Sequence, residues 1–215
     1  GNTAQFAYGY GLAFGESDPI EAPLSESTGV DANAPLPAHD IYVLSTQKPW
    51  QLMIKDASGD TTVASNTVES IGASVRTTDR MVQEDSLSLT FTDQATVGFY
   101  SPFPEDMRDY SEDGSALVLD VKLAEGLDNL SVSIGCSSSE CGVSLPLNSF
   151  AANSTEWQTV VIPSRCFVEA GASFAELFSP FALNANASAS LLVSNVRFEK
   201  SVASDDLAIS DITCP

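Results

Sequence analysis

Hydrophobic residues return at every second position through much of this chain. In residues 116–123, Leu117, Leu119, Val121 and Leu123 share one face of an extended backbone while Asp120 and Lys122 take the other. The phase returns in residues 130–136, where Leu130, Val132, Ile134 and Cys136 lie opposite Ser131, Ser133 and Gly135. A period of two is that of a half-buried strand. With an acidic turn at 125–129 between them, these segments predict two adjacent strands of one antiparallel sheet. The same pattern predicts strands at 41–45, 50–55, 73–79, 86–92 and 95–100. The last two, joined by Asp93 and Gln94, are expected to pair as a hairpin. Further strands are expected at 156–162, 181–183 and 189–198, with a helix-like or irregular segment at 164–171 and a single helical turn at 173–177. Trp157, alternating with Thr159 and Val161, reads as core.

Short strands punctuated by Gly, Pro and Asn, with almost no helical period, indicate an all-β sandwich of the jelly-roll type. Residues 39–215 make one such domain, and 215 residues suffice for its core. Residues 1–38 differ. An aromatic and glycine-rich head at 4–14 is followed by proline, acid and serine, the composition of an extended linker. The head is too apolar for a solvated linker and is expected to dock on this domain or a neighbour.

Charge narrows the partners. Nine Lys and Arg against 29 Asp and Glu give a net charge of −20, which argues against nucleic acid and against an anionic membrane surface. No apolar run is long enough to span a bilayer. The four cysteines, Cys136, Cys141, Cys166 and Cys214, have no zinc-site spacing and imply an oxidising compartment. Three connectivities are open; the short loop favours Cys136 with Cys141, leaving Cys166 with Cys214. No signal peptide is visible, so the chain reads as a piece of a larger exported protein.

Catalytic chemistry is sparse. His39, the single histidine, reads as a linker side chain, and no Gly-x-Ser-x-Gly elbow exists. A two-carboxylate pair among Asp79, Glu84, Asp85 and Asp93 is formally possible, but acids are too abundant for any pair to inform. Acidic turns at 56–60, 125–128 and 205–206 offer oxygen ligands for a structural calcium without the calcium-loop spacing. Sugar binding needs flat apolar surface beside hydrogen-bonding groups. The 100–114 loop, with Tyr100, Phe103, Arg108, Asp109 and Tyr110, is the best local match, although each aromatic taken singly reads first as structural, Phe103 and Tyr110 as plugs that pin the loop to the sandwich edge. Trp50 is either core or platform.

A family resemblance extends this reading. The Ala4-to-Phe14 stretch, with Tyr8-Gly9-Tyr10-Gly11-Leu12, resembles the segment that ends the catalytic portion of glycoside hydrolase family 3 β-glucosidases. The blocks Asp79-Arg-Met-Val-Gln-Glu-Asp85, Asp113-Gly-Ser-Ala-Leu117, Ile162-Pro-Ser-Arg-Cys-Phe167 and the closing Cys214-Pro215 resemble the C-terminal galactose-binding-like domain, ExoP type, of bacterial exo-β-glucanases of that family. The resemblance implies a periplasmic or extracellular bacterial protein. Its catalytic acids would lie upstream, with 1–38 ending that region and 39–215 forming a non-catalytic accessory sandwich. It further implies a β-glucan or gluco-oligosaccharide partner, contact with the upstream catalytic domains, and Gln83 and Gln51 as side chains lent to a substrate cleft. The alternative is a purely structural domain without sugar affinity. The sequons at Asn129, Asn153 and Asn186 would be idle in a bacterium.

Overall fold

The computed structural model describes residues 38–45, 49–136, 142–200, 202 and 209–215. The expectations for residues 1–37, Cys141 and Asp205-Asp206 fall outside the described residues. Among the described residues the strands are, in chain order, β1 (His39–Tyr42), β2 (Gln51–Asp56), β3 (Gly59–Thr62), β4 (Thr67–Glu69), β5 (Ala73–Thr78), β6 (Ser86–Phe91) and β7 (Ala95–Tyr100). There follow β8 (Ala116–Glu125), β9 (Leu130–Gly135), β10 (Val143–Pro146), β11 (Gln158–Pro163), β12 (Ser179–Ala185) and β13 (Ala189–Glu199). One helix, α1 (Ser164–Glu169), stands where a helix-like segment was expected.

The strands form two antiparallel sheets. One runs β11-β8-β13-β6-β5-β4, with β1 also on β13; the other runs β10-β9-β12-β7-β2-β3. Alternation sets the core between them. The seven-stranded sheet buries Leu87, Leu89, Leu117, Leu119, Val121 and Leu123, and the six-stranded sheet answers with Leu52, Ile54, Val97, Phe99, Val132 and Leu183. Each such side chain contributes about 1.5–3 kcal/mol on burial.

In β13 the inward residues are Ala189, Leu191 and Val193, then Val196 and Phe198. The phase slips by one at a bulge between Ser194 and Arg197, where Asn195 takes a left-handed φ of 52°. An extra residue at a bulge keeps both halves of a strand facing one core. Past the bulge, β13 leaves β6 and pairs with β1.

Two expected hairpins are instead crossings between sheets. β6 pairs with β5 and β13, whereas β7 pairs with β2 and β12. Likewise β8 lies between β11 and β13, whereas β9 lies between β10 and β12. Alternation reports which face of a strand is buried, and both sheets bury toward the same core, so it does not distinguish neighbours from strands facing each other. The β8–β9 crossing turns at Gly126, whose φ is 78° and where a Cβ would sit 2.5 Å from the Ser188 carbonyl oxygen. Only glycine fits there.

Three further expectations are corrected. His39 opens β1 and is no linker residue. Residues 173–177 form no helical turn: Leu177 bridges Glu105 in an extended pairing, and the spacing of buried Phe174 and Leu177 imitated a helical face. Trp157, Thr159 and Val161 face outward, while Val160 and Ile162 are buried. Cys166 and Cys214 are bridged with Cα atoms 5.1 Å apart, and Arg165 donates to the Ile212 carbonyl beside that bridge. Cys136 is also disulfide-bonded. Among the described residues no helix is long and apolar enough to cross a membrane.

Candidate functional site

The outer face of the six-stranded sheet carries an open groove of about 1450 Å3. Register places its floor in rows across the strands. Gln51 lies opposite Tyr100, Met53 opposite Gly98, and Lys55 opposite Thr96. The rows continue from Gly98 to Ala182 and from Thr96 to Asn184, then from Ala182 to Ser133 and from Asn184 to Ser131. The small Gly98 and Ala182 keep the middle of the floor low. Their backbones are so close that a Cβ on Gly98 would lie 2.4 Å from that of Ala182.

Asn184 organises the polar half. Its Nδ2 donates to Ser133 Oγ at 3.0 Å, with longer contacts of 3.4 Å to the hydroxyls of Ser131 and Ser144. Its Oδ1 accepts from Thr96 Oγ1 at 2.8 Å, and Ser144 Oγ donates to Ser131 Oγ at 2.7 Å. Each hydroxyl has one hydrogen and two lone pairs, so this lattice keeps acceptor capacity for a ligand in the groove. It is hydrogen-bonding surface without charge.

The other half is aromatic. Tyr100 is half-buried, with Pro102 and Phe178 beside it on the groove wall. Lys55 Nζ stands 4.3 Å from the centre of the Tyr100 ring and 3.2 Å from Asp60 Oδ2. Burial, reinforced by the negative charge of Asp60, pushes the Tyr100 hydroxyl up to about 12. It therefore stays a neutral donor and acceptor at physiological pH. At the far end Asp56 accepts from Ser58 Oγ at 2.5 Å, from Ser58 N at 2.8 Å and from Gly72 N at 2.9 Å, which hold its carboxyl well below the usual range. That carboxylate caps a turn.

Residues 48–198 match the Exop_C family, described as galactose-binding domain-like. The chain belongs to the Exop_C family. No curated protein sequence matches it. The extra C-terminal domain of an exo-1,3/1,4-β-glucanase from a Pseudoalteromonas species superposes on this Exop_C domain with a TM-score of 0.64 at 16% identity, over 79% of this chain and 96% of that one. Against the larger chain of that exo-glucanase the TM-score is 0.64 at 18% identity, covering 80% of this chain and 21% of that one. This chain thus spans about a fifth of that enzyme's length. A family 30 carbohydrate-binding module of a Clostridium thermocellum cellulosomal cellulase gives 0.59 at 15% identity, over 78% of this chain and 100% of that one. At such identities the likeness is one of fold, and it bears out the galactose-binding-like sandwich.

Of the side chains singled out from sequence for sugar binding, the Exop_C domain brings two, Tyr100 and Gln51, into the groove; Asp93 and the acids of the 56–60 turn also line it. Phe103 follows Pro102 of the groove wall and is 77% exposed. Arg108 is spent on a surface pair with Asp106, Nε to Oδ1 being 2.9 Å. Tyr110 packs toward the core, its ring 5.8 Å from His39 and 6.4 Å from Phe198. Trp50 is 2% exposed and has no face to offer a ligand. Gln83 lies outside the groove, in a polar hollow with Asn66, Arg76, Asp79 and Glu84.

The acids considered for chemistry serve as local acceptors. Asp85 takes the backbone N–H groups of Arg80, Met81 and Val82, Asp79 takes that of Glu84, and Glu84 accepts from Asn66. Among the described residues no group of three or more His, Cys, Asp or Glu is arranged to hold a metal ion. On the outer face of the seven-stranded sheet, Asp120 accepts from Arg80, from Thr159 Oγ1 at 2.7 Å and from Asn195 Nδ2 at 2.8 Å, and the Arg80 guanidinium lies 4.2 Å from the Trp157 ring centre. Burial opposes the charge on Asp120, but these donors prevail and hold its carboxyl below the usual range. Sequence reading missed Asn184, Thr96 and Ser144. The available signal was neutral Ser, Thr and Asn side chains on outward strand positions of a very acidic chain.

Proposed function

We propose that this chain is a non-catalytic, carbohydrate-binding accessory domain that holds a β-glucan in the groove of its six-stranded sheet. One observation carries the reading: an open groove pairs an uncharged hydroxyl and amide lattice around Asn184 with the aromatic surface of Tyr100. A pyranose ring asks for both, hydrogen bonds at its hydroxyl rim and apolar contact on its C–H face. Six strands about 4.8 Å apart give a floor about 24 Å wide, room for several sugar units. Phe103 extends the apolar surface at the rim. The bound polymer is thereby held near catalytic domains of glycoside hydrolase family 3 in the same polypeptide, reached through residues 1–38. The disulfide between Cys166 and Cys214 supports a location in the periplasm or outside the cell.

Affinity electrophoresis of the 215-residue chain in mixed-linkage glucan tests this directly. Retardation of the wild type, lost in Asn184→Ala and Tyr100→Ala variants that melt normally, is the expected result; equal mobility with and without glucan refutes it.

A second reading, a structural domain that packs on the catalytic domains, is favoured by a different surface. Leu44, Met81 and Val82 are 59%, 76% and 46% exposed. Leu44, Ser45 and Glu84 near them all hold left-handed φ values, fixed by hydrogen bonds from Ser45 Oγ to the Gln83 carbonyl and from the Tyr42 hydroxyl to the Glu84 carbonyl. Strained backbone presenting apolar side chains suits a docking edge that also carries Gln83. If this reading alone holds, deleting the domain lowers the stability of the parent enzyme and leaves its relative rates on short and long glucans unchanged.

A further inference from the structure

Lys55 and Tyr100 stand two rows apart in the β2–β7 ladder, since Lys55 pairs with Thr96 and Tyr100 with Gln51. Four residues of strand separate those rows, about 14 Å. Yet the Lys55 ammonium is 4.3 Å from the Tyr100 ring centre. To reach it, the Lys55 side chain must cross the intervening row of Met53 and Gly98, where Gly98 adds no side chain of its own. Asp60 on β3 receives the same ammonium at 3.2 Å. Lys55 therefore covers one face of the aromatic surface that a sugar would need.

We infer that Lys55 is a latch on the groove: held by Asp60 and the Tyr100 ring in the free protein, it must be displaced before a glucan can use that aromatic face, so it sets the affinity of the site. The inference rests on the groove being the sugar site. A neutral polymer cannot replace the attraction between the ammonium and either the ring or the carboxylate, so those contacts are given up on binding. A cation over an exposed aromatic face together with an exposed ion pair shifts an equilibrium by about three- to tenfold. The ion-pair part is screened by salt. The latch consequently makes binding of an uncharged ligand stronger as ionic strength rises, which a groove without the latch does not do. It also keeps the lysine charge engaged, so the groove presents no free cation to an anionic polysaccharide.

Calorimetric titration of the full chain with cellohexaose, for wild type, Lys55→Ala, Lys55→Arg and Tyr100→Ala, tests the latch at low salt and at about 1 M salt. The expected result is binding about three- to tenfold tighter in Lys55→Ala than in wild type at low salt. Lys55→Arg should remain close to wild type, because it keeps a cation for the ring. Wild-type affinity should rise with salt while that of Lys55→Ala stays flat. Unchanged or weaker binding in Lys55→Ala, with wild type binding and Tyr100→Ala not, overturns the latch and leaves the groove as the sugar site. Absence of binding in every variant, wild type included, overturns both.

Discussion

Gly98 is the position at which the groove floor and the stability of the sheet are most tightly joined. A Cβ there would lie 2.4 Å from Ala182 Cβ, 2.9 Å from Ala182 Cα and 2.9 Å from the Phe181 carbonyl oxygen. Two of these three atoms are backbone, so no rotamer change relieves the contact; β7 and β12 must move apart in the middle of the six-stranded sheet. Overpacking of this kind costs about 1–3 kcal/mol. Replacing a strand glycine by alanine returns about 0.5–1 kcal/mol of chain entropy. With all three contacts under 3.0 Å the upper half of that cost applies, so the net loss for Gly98→Ala is about 1–2.5 kcal/mol, a drop of about 2–10 °C in Tm for a domain of this size. Thermal unfolding followed by circular dichroism measures it. Ala182→Gly in the Gly98→Ala background removes the 2.4 Å contact and should restore part of the loss, so the two changes couple favourably in a double-mutant cycle. A neutral or stabilising Gly98→Ala, or additivity with Ala182→Gly, refutes the close approach of β7 and β12.

Three other outcomes follow from the same structure. Asp120→Asn leaves Arg80 without its anionic partner at a site where the two side chains are 9% and 20% exposed; it should cost about 2–3 kcal/mol in denaturant unfolding. Because the Asp120 carboxyl is held below its usual range, its stabilisation is present above about pH 4 and lost as pH falls through the folded value, so the variant should lose less stability than wild type in that acid limb. His39, wedged between Trp50 and Tyr110, is lowered chiefly by burial against the opposing pull of Glu105 and Asp40. Folded protein then binds fewer protons there than unfolded protein, and stability should decline as pH drops below about 6.5; His39→Phe should flatten that slope in melts across about pH 5–7. Replacing Cys166 and Cys214 by serine opens a loop with a sequence separation of 48, which on chain-entropy grounds costs about 4 kcal/mol and should appear as a lowered midpoint in urea.

The longer strands were legible in this sequence; the short β3, β4 and β10, and which strand pairs with which, were not. Leu117 to Leu123 and Leu130 to Ile134 announce their buried faces plainly, yet they meet across the core from opposite sheets. Nothing in a period of two separates that arrangement from a hairpin. Trp157 shows a related limit: alternation with Thr159 and Val161 suggested core, but with Val160 and Ile162 buried that same phase places it outside. The bulge at Asn195 is visible afterwards in the slip from Val193 to Val196.

The groove was half legible. Tyr100 and Gln51 could be nominated as an aromatic and a hydrogen-bonding group, whereas Asn184 and its threonine and serine partners come together from β7, β9, β10 and β12. Their convergence depends on strand order, which alternation does not carry. Trp50 and Tyr110 were attractive as aromatics, but Trp50 is buried in the core and Tyr110 packs against it.

Binding of a neutral glucan in the groove of the six-stranded sheet is tested by a nuclear magnetic resonance titration of the labelled chain with a mixed-linkage gluco-oligosaccharide. Saturable shifts should concentrate on the Asn184 side-chain amide and on the backbone amides of Thr96, Gly98, Tyr100, Ser131 and Ser133. An unchanged spectrum at millimolar ligand, or shifts confined to the Trp157 face or to the hollow around Gln83, would contradict it.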